Sequence, residues 1–145
     1  KFKYQEVSLL HSAFKRTYHR TVAYWFEEQK RVRDCGYSES RILNRRRVYP
    51  REPPITEIAN YPVQSTASDV SNPTFLRLKS RLKKLVPQAN LIMYLYDAFD
   101  VEAPNRDVRD VEAIMREEME QPVFINGRKI ELPVEIKSAT HWNEL

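Results

Sequence analysis

The stretch Leu91-Ile-Met-Tyr-Leu-Tyr-Asp-Ala-Phe-Asp-Val-Glu-Ala103 decides the fold class. Residues 91–96 are all apolar or aromatic, and 99–103 alternate Phe99 and Val101 with Asp100 and Glu102. Both runs suit strands with one face buried. Only Asp97 and Ala98 separate them, the length of a two-residue hairpin loop. The loop lacks the usual glycine, so something other than turn chemistry selects its residues. An aspartate at the tip of a rigid hairpin projects a carboxylate, a hard oxygen ligand of the kind Mg²⁺ prefers. Two such ions, roughly 3.5–4 Å apart, can clamp the attacking and leaving oxygens of a phosphoryl transfer. The alternative is a plain turn aspartate, since Asp is common in turns. Asp100 and Glu102 lie on the strand's other face and are expected in solvent.

Upstream of the hairpin, the period changes to that of helices. Val7, Leu10, Phe14, Tyr18, Val22, Trp25 and Phe26 recur at three- and four-residue steps, predicting one long helix over 7–34 that stops at Gly36. Residues 37–56 read as short strands and loop. Residues 57–86 read as a second helical stretch interrupted twice, with Pro62 opening a helix and Pro73 kinking it near Asn72. Phe75, Leu78, Leu82 and Leu85 then carry its apolar face. Downstream, a helix is expected over 106–120, capped by Asn105 and packing through Val108, Val111, Met115 and Met119. Asn126-Gly127 predicts a hairpin turn, and a strand is expected near Leu132–Lys137. The pattern of helices followed by short strand pairs is α+β.

Composition bounds the function. At 145 residues, 41% hydrophobic and 30% charged, the chain suits one globular domain with a real core. No apolar run approaches the roughly 20 residues of a membrane helix, and no signal peptide opens the chain. The single cysteine, Cys35, forms no internal disulfide, which points to a reducing, intracellular setting. No Cys/His spacing suggests zinc. Lys1 at the first position leads us to expect further polypeptide upstream. Residues 1–50 hold 12 basic and 5 acidic side chains, residues 51–87 hold 6 and 3, and residues 88–145 hold 6 and 12, so a +10 front precedes a −6 back. A basic front suits a polyanion such as nucleic acid, or is simply a solvated face.

Two further constellations point the same way. Asn60, Gln64 and Ser68 are spaced four apart, so a helix would present three polar side chains together. Asn and Gln carry both donors and acceptors, suited to the N3 and O2 acceptors common to every base pair in the minor groove; exposed amides and capping are the alternative. Arg45-Arg46-Arg47 sets three guanidiniums on a loop, where they suit phosphate contacts or a solvated basic run.

Taken in order, these pieces resemble the C-terminal part of a family A DNA polymerase, the bacterial DNA polymerase I type. Gly36-Tyr37 through Asn44-Arg45-Arg46-Arg47-Val48-Tyr49-Pro50 resembles the family's Gly-Tyr…Gly-Arg-Arg-Arg…Pro segment. Ala59-Asn-Tyr-Pro-Val-Gln-Ser-Thr-Ala-Ser-Asp69 resembles its Asn-x-Pro-x-Gln-Gly-Thr-Ala-Ala-Asp helix. Tyr96-Asp97-Ala98 sits where the family has His-Asp-Glu, and Leu132-Pro-Val-Glu-Ile…Trp142-Asn-Glu resembles its closing strand and tryptophan.

The resemblance implies the C-terminal half of a polymerase palm, with a β-hairpin carrying the catalytic aspartate between flanking helices. Residues 1–56 would form a helix and basic loop at the base of the fingers, and 57–145 the palm portion with its hairpin at 91–103. Asp97 would be catalytic and bind metal, one of two aspartates holding two Mg²⁺ ions, the other lying outside this chain. Asn60 and Gln64 would contact primer-template DNA in the minor groove, with Tyr96 beside them at the hairpin. Arg45, Arg46 and Arg47 would lie near the template. The implied partners are primer-template DNA, a deoxynucleoside triphosphate and an upstream polymerase polypeptide, because the family's earlier metal aspartate and its nucleotide-gripping fingers helix have no match here. Departures are Tyr96 for histidine, Ala98 for glutamate, Asn44 and Ser65 for glycine, and Thr56 for arginine. Such divergence has a phage or organellar look. Two other readings stay open: a non-catalytic DNA-binding or assembly subunit derived from a palm, and an RNA-synthesising or reverse-transcribing relative.

Overall fold

The computed structural model describes residues 4–51 and 53–144, which form two compact units. Residues 4–40 and 44–64 make the first; residues 41–43 and 65–144 make the second.

In the first unit, the expected 7–34 helix is two helices, α1 (Tyr4–Thr17) and α2 (His19–Cys35), separated at Tyr18. Phe14 and Trp25 are eleven residues apart and would stand about 16 Å apart along a straight helix. Their rings instead stack at 6.0 Å, and Phe14 also meets Tyr18 at 4.9 Å. The apolar stripe folds back on itself, which periodicity alone does not reveal. Gly36 ends α2 as expected, in the left-handed conformation at φ 79° with its N–H bonded to the Val32 carbonyl. Strands β1 (Tyr37–Glu39) and β2 (Arg46–Val48) pair antiparallel, with Ser38 opposite Arg47 and Glu39 opposite Arg46. Ile58 and Ala59 are buried, and the Tyr24 hydroxyl donates to the Ala59 carbonyl at 2.9 Å, tying α2 to the helix that follows.

That helix is α3, unbroken over Ile55–Leu85. It begins at the Pro53-Pro54 pair rather than at Pro62, and neither Pro62 nor Pro73 interrupts it. Each internal proline removes an N–H and crowds the carbonyl four residues earlier, at a cost of about 3 kcal/mol. Burial offsets this: Pro62 is fully enclosed. Around Pro73, the hydroxyls of Ser71 and Thr74 donate to the carbonyls of Ala67 and Val70, at 3.1 and 2.8 Å. These are second bonds to carbonyls that keep their helical N–H; the carbonyl that Pro73 deprives of its helical donor is that of Asp69.

The second unit packs the later half of α3 against a hairpin and a helix. Strands β3 (Asn90–Leu95) and β4 (Ala98–Glu102) form the expected antiparallel pair, and α4 spans Val108–Met119. The core joins Leu78 and Leu82 of α3, Val86 and Ala89 beyond it, Phe99 of β4, and Val111 and Ile114 of α4. Each of the Val, Leu, Ile and Phe side chains contributes about 1.5–3 kcal/mol by leaving water. The helical stripe predicts Val111 there but not Ile114, and Leu85 stays exposed. The Asn105 cap is replaced by a 3₁₀ turn over Asn105–Asp107. Glu118 is buried on α4, where Arg77 and Arg81 of α3 each donate to it at 3.0 Å and Gln121 at 3.0 Å. Every oxygen of this buried carboxylate is thus paired, as a charge in the interior requires.

Asn126-Gly127 makes the expected turn between β5 (Val123–Ile125) and β6 (Arg128–Ile130), with both residues at positive φ. The strand expected at Leu132–Lys137 does not form. That segment has Pro133 near its start and no strand partner among the described residues; it runs irregularly beside α4, where Val134 donates to Glu120 at 3.1 Å and Ser138 bonds Glu112.

A continuous α3 makes Pro73 a tolerated defect. Pro73→Ala restores a donor for the Asp69 carbonyl and should raise the unfolding free energy by about 1–2 kcal/mol. Denaturant unfolding measures this; a loss of stability would mean the ring's packing outweighs the restored bond.

Candidate nucleic-acid and metal-binding residues

The hairpin of the second unit is anchored at its base and exposed at its tip. A bulge at Ile92 shifts the register, so Leu91 faces Val101 but Tyr94 faces Phe99. Without that extra residue Met93 would oppose Phe99, and the aromatic pair would be lost. Tyr94, Phe99 and Phe75 of α3 form a ring cluster with centroids 5.0–6.2 Å apart. The Tyr94 hydroxyl, with one proton to give, lies 2.6 Å from the Ser71 hydroxyl and 3.0 Å from Asn72 Oδ1, fixing β3 to α3.

The turn residues are Tyr96 and Asp97, one position earlier than expected, and Ala98 pairs with Leu95 as the first rung of β4. Asp97 is exposed, and no hydrogen bond or ion pair among the described residues engages its carboxylate. Tyr96 is 91% exposed and has φ 56°. The other two non-glycine residues at positive φ are Asn44 and Asn126, and asparagine tolerates that region. A tyrosine does not, so the turn holds an aromatic ring in water at the expense of backbone strain.

A metal here has one donor from this hairpin. No group of three His, Cys, Asp or Glu side chains gathers anywhere among the described residues. An unpaired exposed carboxylate fits Mg²⁺ as a single ligand, with waters and phosphate oxygens completing the shell. Ala98, on the other side of Asp97 from Tyr96, adds no side-chain oxygen to the turn.

In the first unit, strand alternation divides the arginine run. Arg46 shares a face with Glu39, at 3.5 Å, and with the Tyr37 ring, 4.4 Å from its centroid; Arg31 reaches the same Glu39 at 3.5 Å. Arg47 points to the other face. It bonds Glu57, and its guanidinium lies 5.4 Å from the Tyr49 ring centroid and 5.8 Å from that of Tyr61. Arg45 is held through its backbone: its N–H donates to Ser40 Oγ at 3.0 Å, and its carbonyl accepts from the Ser40 N–H and the Tyr61 hydroxyl. The guanidiniums of Arg46 and Arg47 therefore lie on opposite faces of the strand.

Asn60 and Gln64 are both exposed on α3. Their helical neighbours at three- and four-residue steps are Glu57 and Tyr61, so Glu57, Asn60, Tyr61 and Gln64 share one face. Glu57 and Tyr61 carry no signal when the arginines are read as a block; the strand alternation of Arg46 and Arg47 is the clue that would have found them. In the second unit, Thr66 and Asp69, both buried on α3, accept from the backbone N–H groups of Arg41 and Leu43 at 2.8 and 3.0 Å. Those two residues of the expected motif serve to hold a loop.

The sequence profile described as DNA polymerase family A matches residues 1–144. The thermostable DNA polymerase I of Thermus filiformis is 31% identical over 128 residues, covering 80% of this chain and 14% of that protein. DNA polymerase I of Caldicellulosiruptor bescii is 29% identical over 85 residues, covering 59% of this chain and 10% of that protein. The chain thus corresponds to a small fraction of these relatives' length. Among solved structures, the POL domain of Pol1 from M. smegmatis, in complex with DNA primer-template and dNTP, superposes with a TM-score of 0.76 at 19% identity, over 92% of this chain and 24% of that one. That likeness establishes the shared α+β fold. No helix among the described residues is long and apolar enough to cross a membrane.

The strain at Tyr96 is testable by itself. Tyr96→Asn keeps the turn and should raise stability by about 0.5–1 kcal/mol, read from thermal unfolding. An unchanged or lower midpoint would show that the tyrosine is not strained.

Proposed function

Because the chain belongs to DNA polymerase family A, we propose that it is the C-terminal portion of a polymerase palm, acting in template-directed DNA synthesis with polypeptide outside these residues. The observation that carries this reading is Asp97, an unpaired carboxylate at the exposed tip of a hairpin whose base is locked into the core. In the proposed reaction the primer 3′-hydroxyl attacks the α-phosphorus of a deoxynucleoside triphosphate. A new P–O bond forms as the hydroxyl gives up its proton to water, the bond to the bridging oxygen of the β-phosphate breaks, and pyrophosphate leaves. Magnesium, when bound, supplies the positive charge that stabilises the phosphoryl oxygens.

The chain's own residues then position and stabilise. Asp97 holds a negative charge at a fixed point, preorganised by the aromatic cluster beneath it. Tyr96 offers a ring beside that point. Asn60 and Gln64 reach the minor-groove acceptors of the primer-template duplex, and the 45–47 arginines approach the template backbone. On this reading residues 1–56 belong to the base of the fingers and 57–145 to the palm. A second carboxylate, from the upstream polypeptide, completes the pair of Mg²⁺ ions. The setting of such an activity is intracellular.

Ala98 favours a second reading, a DNA-binding or assembly subunit without catalysis, since the turn offers one carboxylate and no neighbour. Primer extension separates the two. The chain, the upstream polymerase portion and their mixture are assayed with Mg²⁺ and deoxynucleotides. Activity only in the mixture, lowered at least about 100-fold by Asp97→Asn with the fold intact, is the expected result. An associated, DNA-binding mixture without activity selects the second reading. In the active mixture, Gln64→Ala should raise the apparent KM for primer-template about tenfold while leaving that for nucleotide within about twofold; equal changes in both would exclude the duplex contact.

A further inference from the structure

The helix face that carries Asn60 and Gln64 also carries a negative charge, Glu57, one turn before Asn60. A carboxylate on a face that meets DNA repels phosphate. Its position is explained by what it holds. Glu57 bonds the Arg47 guanidinium, which lies over the rings of Tyr49 and Tyr61, 5.4 and 5.8 Å from their centroids. The in-plane N–H donors of a guanidinium match a two-oxygen anion such as a carboxylate or a phosphodiester. Both partners are accessible: Arg47 is 48% exposed and Glu57 36%. An exposed ion pair contributes little to stability and exchanges readily for another anion.

The contrast with Arg46 sharpens the assignment. Arg46 shares its carboxylate, Glu39, with Arg31, which also reaches Glu28 at 4.0 Å, so that pair lies within a four-member cluster inside the first unit. Arg47 and Glu57 form a one-to-one pair, with Tyr61 fixed in turn by its hydroxyl bond to the Arg45 carbonyl.

We propose that Glu57 occupies on Arg47 the place of a nucleic-acid phosphate: it keeps the guanidinium oriented beside the two tyrosines in the unbound protein, and a backbone phosphodiester displaces it when DNA docks along the Asn60–Gln64 face. This rests on the nucleic-acid reading above and adds an exchange that the reading does not require. Arg47 is then the phosphate contact, and Glu57 a positioning residue that also weakens binding by competing for it.

The test is a double-mutant cycle on duplex primer-template affinity, by fluorescence anisotropy across a range of salt concentrations. Its members are the wild-type chain, Glu57→Gln, Arg47→Ala and the double variant. Glu57→Gln should tighten binding about 3- to 10-fold and steepen the dependence of log K on log salt by up to about one unit. Arg47→Ala should weaken binding and flatten the slope, and in its background Glu57→Gln should change neither by much. Arg47→Lys, which keeps the charge but not the planar fork, gives the same direction if the alanine variant loses the β1–β2 hairpin. An equal gain from Glu57→Gln with and without Arg47 would mean simple long-range repulsion and overturn the exchange alone. Absence of duplex binding by the wild type at low salt would overturn the nucleic-acid reading and this inference with it.

Discussion

Continuity of α3 is the constraint on which the other elements depend. One uninterrupted helix supplies Ile58 and Ala59 to the first unit, Thr66 and Asp69 to the loop at 41–43, and Leu78 and Leu82 to the second core. Two internal prolines oppose it, at about 3 kcal/mol each by intrinsic preference. Helices in proteins draw most of their stability from packing, and α3 is packed along its length. The Glu118 network adds a paired charge that fixes α4 against α3, and the guanidinium of Arg81 is held protonated still more firmly by its bonds to Glu118 and Glu117.

A rigid base with an exposed tip is the other organising feature. The bulge at Ile92 brings Tyr94 over Phe99 and lets its hydroxyl reach Ser71 and Asn72. The hairpin is only two strands wide, and an isolated pair is marginal in water; the aromatic cluster on α3 makes it a firm platform. At the tip the balance reverses. Tyr96 lies in a backbone region that suits asparagine or glycine, with its ring in solvent beside Asp97. Strain of this kind persists where the surroundings hold it in place, and it tends to gather at functional positions.

The electrostatics read differently in three dimensions than along the chain. The basic front of the sequence contains several arginines committed to internal carboxylates: Arg31 and Arg46 to Glu39, Arg47 to Glu57. Farther on, Arg77 and Arg81 bind Glu118. The number of basic residues therefore overstates how many guanidiniums are available to a polyanion. What matters at a binding face is how easily each internal carboxylate yields its arginine, and exposure separates the buried Glu118 from the accessible Glu57.

Local sequence determined the elements whose cause is local. Gly36 ends a helix, Asn126-Gly127 turns a hairpin, and two apolar runs two residues apart pair as strands, because backbone preference and the two-residue period act over a few neighbours. The ordered blocks around Arg45–Arg47, Asn60–Asp69 and Asp97 were equally legible, and with them the family. Tertiary structure alone decided the rest. The break at Tyr18 depends on Phe14 finding Trp25, and the persistence of α3 through Pro62 and Pro73 depends on packing that outweighs propensity. The failure of 132–137 to become a strand follows from the want of a strand partner among the described residues, and the division of the arginine run from cross-strand pairing and the reach of Glu57. Each of these turns on contacts between residues distant in sequence, whose energies exceed the local preferences that a linear reading weighs.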